Sequence, residues 1–204
     1  MIVTKIQQQK KDPEKYNIYI DGEYAFALIM RDILYFKIKE NMPIEEDKYN
    51  FIINETVYIK AQSKALDYLG YKMRTEYEIR RKLQEESYNE DVIERVVEFL
   101  KKYGYIDDLK YAQSYIRQVL RLKPMGNYGI KMKLREYGVK DIVIEEALFS
   151  MEIDEEEYAF ELLKKKIGSK EDITEKDKKK YHDFLLRRGY SYDIIKSVFK
   201  KAEI

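Results

Sequence analysis

The chain has no cysteine in its 204 residues, which removes disulfides, thiolate metal sites and thiol catalysis together. It has one histidine, His182, so no paired-histidine metal motif exists, and neither a Gly-rich phosphate loop nor a G-x-S-x-G elbow is present. No run approaches the roughly 20 consecutive apolar residues that a membrane-spanning helix needs. No basic-then-apolar leader with a small-residue cleavage site opens the chain, and a cytoplasmic location is expected. Charge of one sign is also missing in bulk. With 39 basic and 38 acidic residues the net charge is +1, so no whole-molecule field drives the protein onto nucleic acid.

What is there is a chain 45% apolar and 38% charged, a composition that folds and does not behave as a disordered polyelectrolyte. Its first 30 residues alternate like strands. Ile2 to Gln8 is one candidate, and Tyr16 to Ile20 and Glu23 to Leu28 flank Asp21-Gly22, a strong hairpin signal. A two-residue turn there places Tyr19 opposite Tyr24. Asp32 reads as the N-cap of a short helix carrying Ile33, Leu34, Phe36 and Ile38, ended by Asn41 and Pro43. Everything beyond looks helical, with Gly104, Gly138 and Gly189 where helices should stop.

An internal repeat organises that helical part. The segment from Ile79 to Leu83 through Val92 to Val97 recurs without a gap as Ile130 to Leu134, Val143-Ile144 and Ala147-Leu148, a shift of 51 residues. A second shift of 51 gives Tyr181 to Leu185, Ile194-Ile195 and Val198-Phe199, so three copies exist. A further helix precedes each, marked by Ala65, Ala112 and Ala159 at steps of 47. The expected fold is therefore mostly α: tandem three-helix, helix-turn-helix-like repeats in an elongated curved array, behind a small N-terminal β-hairpin and helix extension. The boundaries read as 1-53 for the extension and 54-104, 105-152 and 153-204 for the repeats. Thr75 with Glu78 reads as a capping box, and Asp177 falls in the Thr75 column of the third copy. In the second copy Asn127 reads as the cap, after a mobile loop Lys123-Pro124-Met125-Gly126-Asn127.

The candidates for catalysis dissolve in this register. His182 shares a column with Arg80 and Lys131, an exposed basic position. Glu85-Glu86, Glu155-Glu156-Glu157 and Asp107-Asp108 are neighbours in sequence that point different ways on a helix, and read as solvated helix starts. Most of the 20 tyrosines, such as Tyr68, Tyr115 and Tyr181, fall in apolar columns and are assigned to packing. No cofactor is expected.

Binding is better supported. From Lys110 to Arg135 the chain carries Lys110, Arg117, Arg121, Lys123, Lys131, Lys133 and Arg135 with no acid between them, a local charge of +7. Aligned repeats add Arg80, Lys82, Arg187 and Arg188 to one basic face. Such a stripe suits a long anionic partner, a DNA backbone or a protein filament.

Two stretches carry a resemblance. Lys72-Met73-Arg74-Thr75-Glu76-Tyr77-Glu78-Ile79-Arg80-Arg81-Lys82-Leu83 and Gly104-Tyr105-Ile106-Asp107-Asp108-Leu109-Lys110-Tyr111-Ala112 are similar to motifs of the RecX family. Lys72, Thr75 and Ile79 stand where that family usually has Arg, Ser and Leu. A third element runs from Gly126 to Gly138. The likeness covers roughly 55-204, with the hairpin resembling an extension of longer members. It implies a non-enzymatic, monomeric regulator that lies in the groove of the RecA recombinase filament on single-stranded DNA. By that likeness it inhibits filament growth, ATP hydrolysis, strand exchange and co-protease activity, in DNA repair, recombination and the SOS response. Single- or double-stranded DNA is a further candidate partner. The alternatives are a stand-alone DNA-binding protein of helix-turn-helix type, which the acids on the third helices argue against, and a structural adaptor for another protein.

Overall fold

The structure is a computed structural model that describes residues 1-169 and 172-204. Strands β1 (Ile2–Gln8), β2 (Lys15–Ile20) and β3 (Glu23–Ile29) form the expected antiparallel meander. A two-residue strand β4 (Met42–Pro43) adds to the free edge of β1, giving the order β3-β2-β1-β4. Asp21 and Gly22 take φ of 50° and 90°, the positive pair that a two-residue turn needs to match strand twist. Tyr19 then faces Tyr24, with the rings edge to face at 6.0 Å. Alternation puts Ile18, Ile20, Phe26 and Leu28 in the core.

Helix α1 (Met30–Tyr35) departs from the expectation. It runs straight off β3 with Ile29 at the N-cap, and Asp32 lies inside its first turn. There Asp32 is buried and ion-paired with Lys60, so its partner is 28 residues away and not the local backbone. The helix also stops before Phe36 and Ile38, because Lys37 turns the chain at φ 51°.

A continuous helical rod follows: α2 (Glu46–Phe51), one widened turn (Ile52–Val57) and α3 (Tyr58–Leu69). Its buried seam is Ile52, Val57, Ala61 and Ala65. The step of five residues from Ile52 to Val57 does not fit an α-helical face, and the π-type turn absorbs it. The 53/54 boundary read from the sequence thus lies inside an unbroken rod whose seam serves both the sheet and the first repeat. Helices α4 (Glu76–Glu85) and α5 (Glu90–Lys102) complete that repeat, and its core is one cluster with the core of the sheet. Polar ties reinforce the union. Asn89 donates to the Ala25 carbonyl at 2.8 Å, and the Tyr24 hydroxyl donates to the Ser87 carbonyl. Residues Met1–Ile106 form one compact unit.

The second compact unit, Asp107–Ile204, holds the other two repeats. These are α6 (Asp108–Leu122), α7 (Asn127–Glu136) and α8 (Asp141–Ser150), then α9 (Glu155–Ile167), α10 (Glu175–Arg187) and α11 (Tyr192–Lys201). Each has its own core, around Ile116, Ile130, Leu134 and Ile144 in one and Leu163, Tyr181, Leu185 and Ile195 in the other. Gly104, Gly138 and Gly189 end their helices at φ 71°, 75° and 80° as expected. In the first copy the column of Gly138 and Gly189 is held by Ser87, at φ 64°. The Thr75–Glu78 capping box is present. In the third copy the box is Thr174–Asp177, so Asp177 sits one turn inside a helix that starts earlier than the repeat register predicts.

The loop before α7 is pinned, contrary to the sequence reading. The Gly126 N–H donates to the Arg188 carbonyl at 2.9 Å, and the Arg188 guanidinium donates to the Pro124 carbonyl at 3.3 Å. Gly126, not Asn127, occupies the N-cap and offers no side chain. Glu155 supplies the cap from the next repeat, accepting from the Asn127 N–H at 3.0 Å. Two backbones meet here without room for side chains. A Cβ on Gly189 would lie 2.3 Å from the Gly129 nitrogen, and one on Gly126 would lie 2.3 Å from the Gly189 carbonyl oxygen.

Two substitutions in one repeat column should therefore act in opposite directions. Ser87→Gly relieves a left-handed residue and should stabilise the protein by about 0.5–1 kcal/mol. Gly189→Ala adds strain and a backbone clash and should cost at least about 2 kcal/mol. Urea denaturation measures both; a Gly189→Ala protein as stable as the parent would refute the close approach.

Candidate partner-binding face

Helices α4 and α7 carry Arg80, Lys82, Lys131, Lys133 and Arg135 of the cations singled out in the sequence, and the structure gives each of these an acid. Arg80 pairs with Glu76 at 2.8 Å, Glu90 at 3.3 Å and Glu94 at 2.7 Å. Burial works against its charge, but the hydrogen bonds it donates to Glu76 and Glu94 overcome this and raise its pKa above the ordinary guanidinium value. Lys131 pairs with Glu145 at 2.6 Å. A shift of 51 residues carries Arg80 onto Lys131 and Glu94 onto Glu145, so a single bridge between second and third helix is built twice. The same shift carries the Gln84–Glu90 hydrogen bond, 3.4 Å, onto the Arg135–Asp141 ion pair, 2.6 Å. Lys133 pairs with Glu136 at 2.7 Å. In the third copy Lys196 replaces the acid. His182 there is half-buried, 5.4 Å from the Tyr192 ring and 6.5 Å from Phe199.

Lys82 belongs to a different arrangement. It meets Glu86 at 3.0 Å, and Glu86 also receives Lys15 from β2 at 2.7 Å and Lys64 from α3 at 3.1 Å. Burial raises the pKa of this carboxyl, yet the three ammonium groups prevail and hold it at about 2. Glu86 does not open a helix as the sequence suggests: it is the C-cap of α4 and the ionic junction between sheet and repeat. Glu155, Glu156 and Glu157 are reassigned in the same way. Glu156 accepts from the Ser197 hydroxyl at 2.7 Å, Glu157 pairs with Lys201 at 2.6 Å, and burial raises the pKa of the Glu155 carboxyl that caps α7. Asp107 does cap α6, accepting from the Lys110 N–H at 3.0 Å.

The remaining cations are of another kind. Arg117, Arg121 and Lys123 lie exposed along the last turns of α6, and Arg187 is exposed at the end of α10. None has an acidic partner among the described residues. Arg188 stands over the Phe184 ring at 5.4 Å. Arg121, Lys123 and Arg188 border a hollow between the end of α6 and α9. The structure thus separates the candidate cations into an internally neutralised set and a free set, a division invisible in a one-dimensional charge count. Tyrosines pack as expected at Tyr181, which is buried, and at Tyr115, edge to face with Tyr137 at 5.7 Å. Arg74, in the first motif, stacks on Tyr68 at 3.9 Å and pairs with Glu78 at 3.1 Å, which gives that motif a structural role.

A small sheet followed by three-helix units whose charges are largely satisfied within each unit defines a helical-repeat protein with an N-terminal cap domain. Among the described residues no helix is long and apolar enough to cross a membrane. The chain matches the RecX N-terminal domain over residues 1–45 and the first, second and third RecX three-helix domains over 61–100, 107–148 and 154–199. It belongs to the RecX family. It is 38% identical to a regulatory protein RecX of Clostridium acetobutylicum over 98% of this chain and 95% of that protein. It is 35% identical, with the same coverages, to one of Clostridioides difficile. A crystal structure of regulatory protein RecX superposes with a TM-score of 0.66 at 29% identity over 98% of both chains. RecX from Lactobacillus salivarius gives 0.66 at 30% identity, over 72% of this chain and 96% of that one.

The Glu86 junction carries a pH dependence with a definite sign. Its carboxyl titrates at about 2 in the folded chain against an ordinary 4.5, so the unfolded chain takes up the proton first. The stabilisation is complete above the ordinary value and is lost as pH falls through the window between the two. Urea midpoints across that window should fall with pH, and Glu86→Gln should flatten the slope while lowering stability at neutral pH. An unchanged slope would dismiss the junction.

Proposed function

We propose that this chain is a non-enzymatic regulator of the RecA recombinase. It binds the RecA filament on single-stranded DNA and inhibits filament growth, ATP hydrolysis, strand exchange and co-protease activity, modulating recombinational repair and the SOS response. The observation that carries the reading is family membership from end to end, with all four RecX domains in order and relatives that are named regulatory proteins. The protein acts as a cytoplasmic monomer without a cofactor.

Within this reading the free cations lead. Arg117, Arg121 and Lys123 meet a partner's acidic or phosphate groups without first giving up an internal bond, Arg188 borders the same hollow as Arg121 and Lys123, and Arg187 is exposed at the end of α10. Arg80, Lys82, Lys131, Lys133 and Arg135 contribute only by exchanging a carboxylate of their own repeat for one of the partner, an exchange that is near-balanced at the exposed Lys133 and Arg135 and costlier at the half-buried Arg80, Lys82 and Lys131. Direct docking of third helices in a DNA groove is disfavoured, because Glu94 and Glu145 line the approach to the second-helix cations.

The test is RecA ATP hydrolysis on single-stranded DNA at fixed salt. Inhibition is expected well below one chain per recombinase. Arg117→Glu, Arg121→Glu and Lys123→Glu together should weaken it by at least about tenfold, and more than Lys131→Glu, Lys133→Glu and Arg135→Glu together. No inhibition at excess overturns the reading, and tight duplex binding with a steep salt slope and no need for RecA replaces it with stand-alone DNA binding.

A further inference from the structure

The hollow beside the end of α6 has a volume of about 580 Å³, within the range of sites that enclose a ligand group. Its apolar lining comes from Leu120, Leu122 and Pro124 on one side and Tyr158 and Leu162 of α9 on the other. Leu122 is 60% exposed at the final position of its helix, although the polar side of α6 would more cheaply end in a charged residue. An apolar side chain left open at the mouth of an apolar hollow is a contact surface for another molecule.

Charge around the hollow is one-sided once internal bonds are counted. Its acids are engaged: Asp154 accepts from the Glu157 N–H at 2.9 Å, Glu157 pairs with Lys201 at 2.6 Å, and Glu161 lies 3.4 Å from Lys164. Its cations Arg121, Lys123 and Lys165 have no acid among the described residues. The open electrostatic valence is therefore positive, around an apolar centre. A polyphosphate strand fits poorly, because the α9 wall would set Asp154, Glu157 and Glu161 against its continuous charge. A peptide can distribute its charge, with apolar side chains in the hollow and carboxylates only where Arg121, Lys123 and Lys165 receive them.

We propose that this hollow is a docking site for an acidic amphipathic segment of a partner protein, in which bulky apolar residues alternate with Asp or Glu. Leu122 and Tyr158 grip the apolar side chains, while Arg121, Lys123 and Lys165 set the orientation through charge. The assignment needs only that the chain works by docking; its test contains no recombinase, so it and the regulatory reading can fail separately.

The probe is a fluorescein-labelled peptide in which Phe and Leu alternate with Asp and Glu, titrated with the full chain and read by fluorescence anisotropy. A peptide with Lys in place of the acids and a labelled oligothymidylate serve as the other arms. The acidic peptide should bind, the lysine peptide at least about tenfold more weakly, and salt should weaken the acidic one. Leu122→Ser and the pair Arg121→Glu with Lys123→Glu should each reduce its affinity by about tenfold or more. All three positions are exposed, so the circular dichroism spectrum should stay that of the parent. Binding indifferent to both variants overturns the site, as does oligothymidylate binding more tightly than the peptide and losing affinity in the same variants.

Discussion

A three-helix unit of about 45 residues closes only a small core, and the rest of the structure follows from that shortage. Each copy borrows its missing surface from something outside itself. The first repeat borrows from the sheet, through the seam that runs from Ile52 to Ala65 and through Glu86, where lysines from β2, α3 and α4 converge. The second and third borrow from each other by a backbone contact so close that Gly126, Gly129 and Gly189 admit no side chain. Glu155 finishes the job by capping a helix of the neighbouring repeat. The unit of cooperation is thus larger than the unit of repetition, which is why two compact bodies hold three repeats.

The same economy governs charge. A chain with 39 basic and 38 acidic residues has little net field, and its repeats cancel most of what they carry: the Arg80–Glu94 bridge returns as Lys131–Glu145. Such exposed pairs add little to stability, but they silence their own surface toward outside anions. Cations are left available at the end of α6, beside the loop between the first and second helices of the second copy, where loop length breaks the repeat pattern.

Much of the fold was legible because its signals are local. Asp21-Gly22 fixes a hairpin, Thr75 with Glu78 a helix start, and Gly104, Gly138 and Gly189 helix ends, each within a few residues. The shift of 51 residues did the rest. What failed was every reading that depended on a distant partner. Asp32 looks like a cap until Lys60 is beside it, and Glu155 looks solvated until α7 arrives. The basic tract from Lys110 to Arg135 looks unopposed because its acids, Glu136, Asp141 and Glu145, lie just beyond it. The repeat register did hold one usable clue: Arg80 and Glu94 keep their opposite signs at Lys131 and Glu145.

The third copy shows what happens when the bridge is not renewed. His182 and Lys196 stand where the other copies have a cation and a glutamate, so the column cannot pair. The imidazole packs instead beside Tyr192 and Phe199, with its Nδ1 3.6 Å from the Asp183 carboxylate of its own helix. One column thus does two jobs: it ties second to third helix by an ion pair in two copies and by ring packing in the third.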